Sequence, residues 1–272
     1  MGRDLWRDMP DISDINLKTY SKPLETRKYA RFAGLLPAET AILERYRHLV
    51  VGRPILDIGV GGGRTTEGLL EISADYVGVD YAPAMIERCR ARFPEVRFEV
   101  ADVRDLSAFA DASFRLVMFS YNGISSLGHE DRLRALREMR RVLSPEGICV
   151  FSAHNRNSPQ TGAWSLKHIP GIESWVKAPV PSLKQLVKYP LGIRNALANR
   201  SYERSEPDFA IVNDEAGCYG LMSYVITVEK QLAQLHSVGL EPLEAVGTDG
   251  CSLGAGDFDT ADAWIYYVCR RA

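Results

Sequence analysis

The sequence lacks an apolar run approaching the roughly 18 residues that crossing a bilayer requires. Its opening stretch, Met1 to Pro10, alternates charges and holds no apolar core of the signal-peptide kind. Two terminal patterns miss the lipidation rules: Trp6 stands where a myristoylation site needs Ser or Thr, and Arg270 and Arg271 follow Cys269 where a prenylation box needs aliphatic residues. There is no excess of positive charge, since 33 Lys and Arg stand against 35 Asp and Glu, a formal net charge of -2. A dedicated nucleic-acid binder usually carries a basic excess or a basic face, so that class is disfavoured. Cysteines are scarce and scattered, at 89, 149, 218, 251 and 269, and never spaced Cys-x-x-Cys. A disulfide framework, or a zinc site built on that spacing, is therefore not expected. No repeat or low-complexity tract occurs. What is left is a soluble, cytoplasmic, single-domain protein. Its 272 residues, 46% hydrophobic and 25% charged, suffice to bury a core unaided.

Ile42, Leu43, Tyr46, Leu49 and Val50 recur at helical spacing within 38–50. Short apolar runs at 55–58, 76–79, 96–100, 114–119 and 148–152 read as strands, with helical stretches at about 65–72, 83–92 and 130–143 between most of them. That alternation predicts parallel strands with crossover helices, a doubly wound α/β sheet. Residues 155–227 break the rhythm, with six prolines between 155 and 207, and read as an inserted lobe with a helix near 181–198. A strand-like stretch at 219–228, a helix ended by Gly239, and strands at about 240–246 and 263–269 complete the chain.

After the first strand the chain reads Asp57-Ile58-Gly59-Val60-Gly61-Gly62-Gly63-Arg64. Glycines at 59, 61 and 63 permit a sharp turn and close approach of backbone to a ligand. The dinucleotide fingerprint fails, because its third glycine falls on Arg64 or Thr66, and no phosphate-loop lysine follows. Instead an acid stands ahead of the glycines, where a cationic amino group gains from it and a pyrophosphate does not. Asp80 closes the second strand, where a carboxylate can accept both hydrogen bonds of a ribose diol, and Asp102 follows the third, where it can meet an adenine amino group. Three carboxylates at successive strand tips suit a cationic nucleoside.

On these residues the chain resembles the class I S-adenosylmethionine-dependent methyltransferases. The matching blocks are Leu56 to Gly63, Val77-Gly78-Val79-Asp80-Tyr81 with Met85 behind it, Ala101-Asp102-Val103, Phe114 to Val117, and Arg141 to Gly147. The resemblance covers roughly 50–155, with a family-like helix and hairpin at 228–270. It implies a Rossmann-like, mostly parallel seven-stranded sheet with the last strand antiparallel, and a core of 51–154 and 228–272. The segment 1–50 would then form an N-terminal helical lid, and 155–227 an inserted lobe roofing the acceptor. It also implies S-adenosylmethionine as cofactor, S-adenosylhomocysteine as product, and cofactor contacts from Asp57, Gly59, Val60, Gly61, Gly63, Asp80, Tyr81, Met85, Asp102, Val103, Ser120 and Tyr121. Tyr20 and Tyr29 precede the core, where small-molecule members carry lids.

The acceptor is expected past the fourth and fifth strand tips, at Asn122, Asn155 and Arg156, under Trp164 of the lobe. His154 is the best-placed general base and His129 a second candidate. Ser120 to Gly123 is not the Asn/Asp-Pro-Pro-aromatic box of amino-directed nucleic-acid enzymes, no Pro-Cys occurs, and the fourth strand ends without a carboxylate to start a magnesium site. The arginines at 132, 134, 137, 140 and 141 read as a solvated helix face. The expectation is metal-free methyl transfer to O or N of a small organic acceptor, such as a natural product or sugar. No nucleic-acid or membrane partner is expected, and homodimerisation is left open. An RNA or protein methyltransferase and a non-catalytic cofactor-binding protein are the alternatives.

Overall fold

Strands β1 (Ile55–Ile58) and β2 (Tyr76–Asp80) are buried along their whole length, as strands covered on both faces must be. They belong to a computed structural model that describes residues 11–22, 25, 32–159, 183–254, 256, 258 and 260–272. Helices α1 (Ile12–Tyr20), α2 (Pro37–Arg45) and α3 (Arg47–Val50) precede β1, α4 (Thr66–Leu70) joins β1 to β2, and α5 (Pro83–Arg92) leads to β3 (Arg97–Val100). After β4 (Phe114–Phe119) come a 3-10 turn at Gly123–Ser126, α6 (His129–Val142) and β5 (Leu143–Asn155). Helix α7 (Leu183–Asn199), β6 (Arg204–Ser205), β7 (Phe209–Asp214) and β8 (Leu221–Ile226) follow. Helix α8 (Val228–Ser237), β9 (Leu240–Val246) and β10 (Trp264–Arg271) complete the order.

Local chemistry sets the helix ends. The Thr227 hydroxyl accepts the Lys230 N–H at 3.3 Å at the start of α8, and Gly239, at φ +76°, lets the chain turn out of its end. In α6, Ala135, Leu136, Met139 and Val142 form the buried stripe, with Glu130 and Asp131 in the first turn and Arg140 and Arg141 in the last, the polarity a helix dipole favours. Arg132 departs from the expected solvated face. It is fully buried, donates to Gln234 Oε1 at 2.9 Å and to the Ile124 carbonyl at 3.0 Å, and lies 4.8 Å from the Tyr224 ring centroid.

Strands β3, β2, β1, β4 and β5 lie side by side, all parallel, and β10 sits antiparallel between β5 and β9. Those are the seven expected strands with the expected antiparallel β10. One face packs on α6 and α8 through Leu136, Met139 and Leu235, the other on α2, α4 and α5 through Ile42, Leu69 and Ile86. Among the described residues the sheet nevertheless has ten strands. β5 runs on past Phe151, the partner of the last β4 residue Phe119, and β8 pairs in parallel with the edge this leaves free, at His154 and Asn155. β7 and β6 then add antiparallel to β8. This ribbon carries a third small core, in which Ile12 of α1 packs on Ile211, Met222, Tyr224 and Ile226.

Candidate active site

The cleft opens where the strand order reverses, above the carboxyl ends of β1 and β4, the position at which open α/β sheets bind ligands. It encloses about 1030 Å3, part of it open to solvent. Gly59 turns the chain out of β1 at φ +64°, and a Cβ there would stand 2.7 Å from the ring of Phe119. A Cβ at Gly123 would meet the same edge of that ring. Phe119 thus fills the space both glycines leave, which brings the loops after β1 and β4 together.

Asp57 and Asp80 are almost wholly buried at the floor of the cleft. Asp57 Oδ2 accepts the Thr65 hydroxyl at 2.6 Å and the Tyr76 hydroxyl at 2.8 Å. Asp80 Oδ2 accepts the Gly61 N–H and Oδ1 the Ala82 N–H, each at 2.9 Å. Burial pushes both carboxyls up to about 6 from the usual carboxylate value of 3.8. Asp102 meets the Arg104 fork, with Nη2 2.6 Å from Oδ2 and Nε 3.0 Å from each oxygen. Arg104 also donates to Ser13 Oγ at 3.0 Å and to Asp131, tying the loop after β3 to α1 and α6. The Tyr81 hydroxyl lines the same end, buried and without a hydrogen-bond partner among the described residues.

A second buried carboxylate system, which the sequence reading missed, holds the opposite wall. Glu39, fully buried, takes both arms of Arg64, Nη1 at 2.7 Å and Nη2 at 2.6 Å. It also accepts the Leu36 N–H at 2.7 Å, the Tyr266 hydroxyl at 3.2 Å and the Ser120 hydroxyl. One side chain therefore joins α2, the glycine loop, the tip of β4 and β10. Arg64 lines the cleft and immediately follows the quoted glycine motif; nothing in the sequence pattern marks Glu39 beyond its place in the first turn of α2.

Of the expected cofactor residues, Asp57, Gly59, Val60, Gly61, Asp80, Tyr81, Met85, Asp102, Val103, Ser120, Tyr121 and Tyr20 line this cleft. Gly63 stands behind the loop, where a Cβ would lie 2.8 Å from the Phe93 ring. Phe32, Ser126 and Leu127 complete the wall and carried no sequence signal. Tyr29 and Trp164 lie outside the described residues.

Of the residues expected for catalysis and the acceptor, His129, His154, Asn122, Asn155 and Arg156 are not in the lining. The His154 side chain faces Asp214 of β7 at 4.0 Å, and the His154 backbone N–H donates to Ser125 Oγ at 3.1 Å. His129 Nδ1 is 2.9 Å from the Tyr224 hydroxyl and its ring stacks 4.6 Å from Phe209. Burial pushes both imidazoles below the usual histidine value. Asn155 donates to the Thr260 and Asp262 carbonyls at 2.8 and 3.0 Å, and Arg156 to the Glu206 carbonyl at 2.7 Å; both tie loops to strand ends. Asn122 turns back to β5, its N–H 2.8 Å from Ser152 Oγ. Arg156 thus ties the chain after β5 to the ribbon, whereas Asn155 holds the segment before β10 and Asn122 holds β5. Among the described residues no three His, Cys, Asp or Glu side chains gather as metal ligands, and no helix is long and apolar enough to cross a membrane.

Residues 55–147 match the family model of a methyltransferase domain. Over 134 residues the chain is 38% identical to malonyl-(acyl-carrier protein) O-methyltransferase of Halorhodospira halophila, covering 46% of this chain and 43% of that protein. Over 115 residues it is 33% identical to demethylmenaquinone methyltransferase of Renibacterium salmoninarum, covering 40% and 47%. The matches thus span less than half the length of these curated relatives. Among solved structures, 1,6-didemethyltoxoflavin-N1-methyltransferase of Burkholderia thailandensis, with 1,6-didemethyltoxoflavin and S-adenosylhomocysteine bound, aligns with a TM-score of 0.58 at 13% identity, over 96% of this chain and 87% of that one. An S-adenosylmethionine-dependent methyltransferase of Clostridium acetobutylicum aligns at 0.57 and 12% identity, over 95% and 98%. At these identities the structural likeness establishes the fold.

Proposed function

We infer, from the match of residues 55–147 to a methyltransferase-domain family model and a fold like that of S-adenosylmethionine-dependent methyltransferases, that the chain transfers a methyl group from S-adenosylmethionine to oxygen or nitrogen of a small organic acceptor. The observation that carries this reading is the meeting of Asp57, Asp80 and Asp102 in one cleft with the glycine loop beside them. The site fits the cofactor on its own features. Each Asp80 oxygen keeps a lone pair beyond its backbone bond, Tyr81 brings an unpartnered buried hydroxyl, and the loop leaves open space at Gly61, where the nearest atom to a Cβ is 3.9 Å away.

In this reading Asp80 holds the ribose diol, Asp102 the adenine amino group and Asp57 the amino group of the methionine portion. When bound, the cofactor would supply an electrophilic methyl on a sulfonium, open to a lone pair of the acceptor. The chain's own part is positioning and exclusion of water. Tyr20, Phe32, Phe119, Tyr121 and Leu127 supply the apolar wall, and the Glu39–Arg64 pair fixes the loop and the β4 tip against each other. Two of the relatives named above are named for demethylmenaquinone and 1,6-didemethyltoxoflavin, which supports a small organic acceptor. The test is incubation with methyl-labelled S-adenosylmethionine and a cell extract, followed by fractionation. Label in extractable small molecules is the predicted outcome; label confined to RNA or protein would contradict it.

A further inference from the structure

Resting on the reading of this cleft as a methyl-transfer site, we propose that Tyr121 is a rigid stacking platform and that the acceptor is a flat, conjugated ring compound, not a sugar or another aliphatic alcohol. Tyr121 sits in the left-handed region at φ +53°, and Asn122 follows at φ +61°. Two consecutive non-glycine residues there are costly, and such strain persists only where the surroundings hold it. Here they do. The Arg64 guanidinium lies 5.3 Å from the Tyr121 ring centroid. Arg64 cannot swing away, since its two amino groups are committed to Glu39, to the Gly34 carbonyl at 3.0 Å and to Ser120 Oγ at 3.1 Å. Trp264 meets the ring edge-on at a centroid distance of 6.2 Å, and Phe32 approaches it at 6.2 Å with a 39° tilt.

Tyr121 held in this way is still 39% exposed as a residue, and Phe32 is 42% exposed, although both line the cleft. Ordinary core packing would have buried them. A half-open aromatic surface, pinned by three neighbours, contributes little to the fold and offers a face to a bound ring at low entropic cost. Non-directional burial would favour a saturated molecule of the same size equally, so stacking can be told from greasiness.

The experiment titrates the parent protein with 2-naphthol and with decahydro-2-naphthol, which share carbon count and hydroxyl, with and without saturating S-adenosylhomocysteine. About tenfold tighter binding of 2-naphthol is expected, the worth of one to two aromatic contacts. In Tyr121→Leu and in Phe32→Leu that preference should fall to about threefold or less, whereas Tyr121→Phe should keep it. Because the readout is a ratio within one protein, a general loss of stability does not imitate it. Equal affinity of the parent for the two alcohols, or a preference undiminished in Tyr121→Leu, would overturn the proposal. Failure of S-adenosylhomocysteine to bind would instead strike the cofactor reading, and the naphthol comparison without it still decides the platform.

Discussion

Glu39 shows at the scale of one residue how the cleft is held. Its carboxylate is buried with Arg64 and accepts from three further groups, so removing the charge leaves a cation without its partner in a dry setting. Glu39→Gln should lower unfolding free energy by about 3 kcal/mol in urea denaturation, the usual cost of breaking a buried pair. Adding Arg64→Met should recover a good part of that loss, since the orphaned cation goes with it. A double variant as unstable as the sum of the two singles would mean that the pair is not coupled. Asp57 and Asp80 were legible because a motif fixes their spacing to the strands. Glu39 and Phe32 were not, since they reach the cleft only through tertiary packing that leaves no periodic mark.

At the scale of elements, α1 and the ribbon belong together. Asn16 imitates a neighbouring strand: its amide donates to the Met222 carbonyl at 2.9 Å and its carbonyl accepts the Met222 N–H at 2.8 Å, with a further bond to the Ser126 carbonyl at 2.9 Å. Thr19 adds a bond to the Gly220 carbonyl at 2.7 Å. Asn16→Leu keeps the bulk and strands those backbone groups, a cost of about 2–3 kcal/mol. Hydrogen exchange across 12–20 and 221–226 should accelerate together in that variant; unchanged exchange at 221–226 would show that α1 does not hold the ribbon. The parallel core was readable because buried strands and amphipathic crossovers have distinct periods. The β5–β8 junction was not, because His154 and Asn155 are polar and read as a loop, although the backbone around them is paired in the sheet.

At the scale of the whole molecule, the buried carboxylates link folding, binding and pH. Asp57 and Asp80 titrate near 6 when folded against 3.8 ordinarily. A raised folded value contributes stability that is complete below the unfolded value and is lost as pH rises through the folded one, so their contribution should decline between about pH 4 and 6. The cofactor's cationic amino group and ribose hydroxyls favour the ionised forms. Binding should therefore release protons near pH 6 and almost none at pH 8, read by calorimetry in two buffers of different ionisation heat. Proton uptake near pH 6 would mean that these groups do not face the ligand. The central claim, that this cleft holds the methyl donor with Asp80 on its ribose, is tested most directly by calorimetric titration of S-adenosylhomocysteine into the parent and into Asp80→Asn at pH 7.5. The account predicts one site per chain in the parent and affinity weaker by about tenfold or more in the variant, the worth of a charge-assisted hydrogen bond. No binding to the parent, or equal affinity for the two proteins, would contradict it.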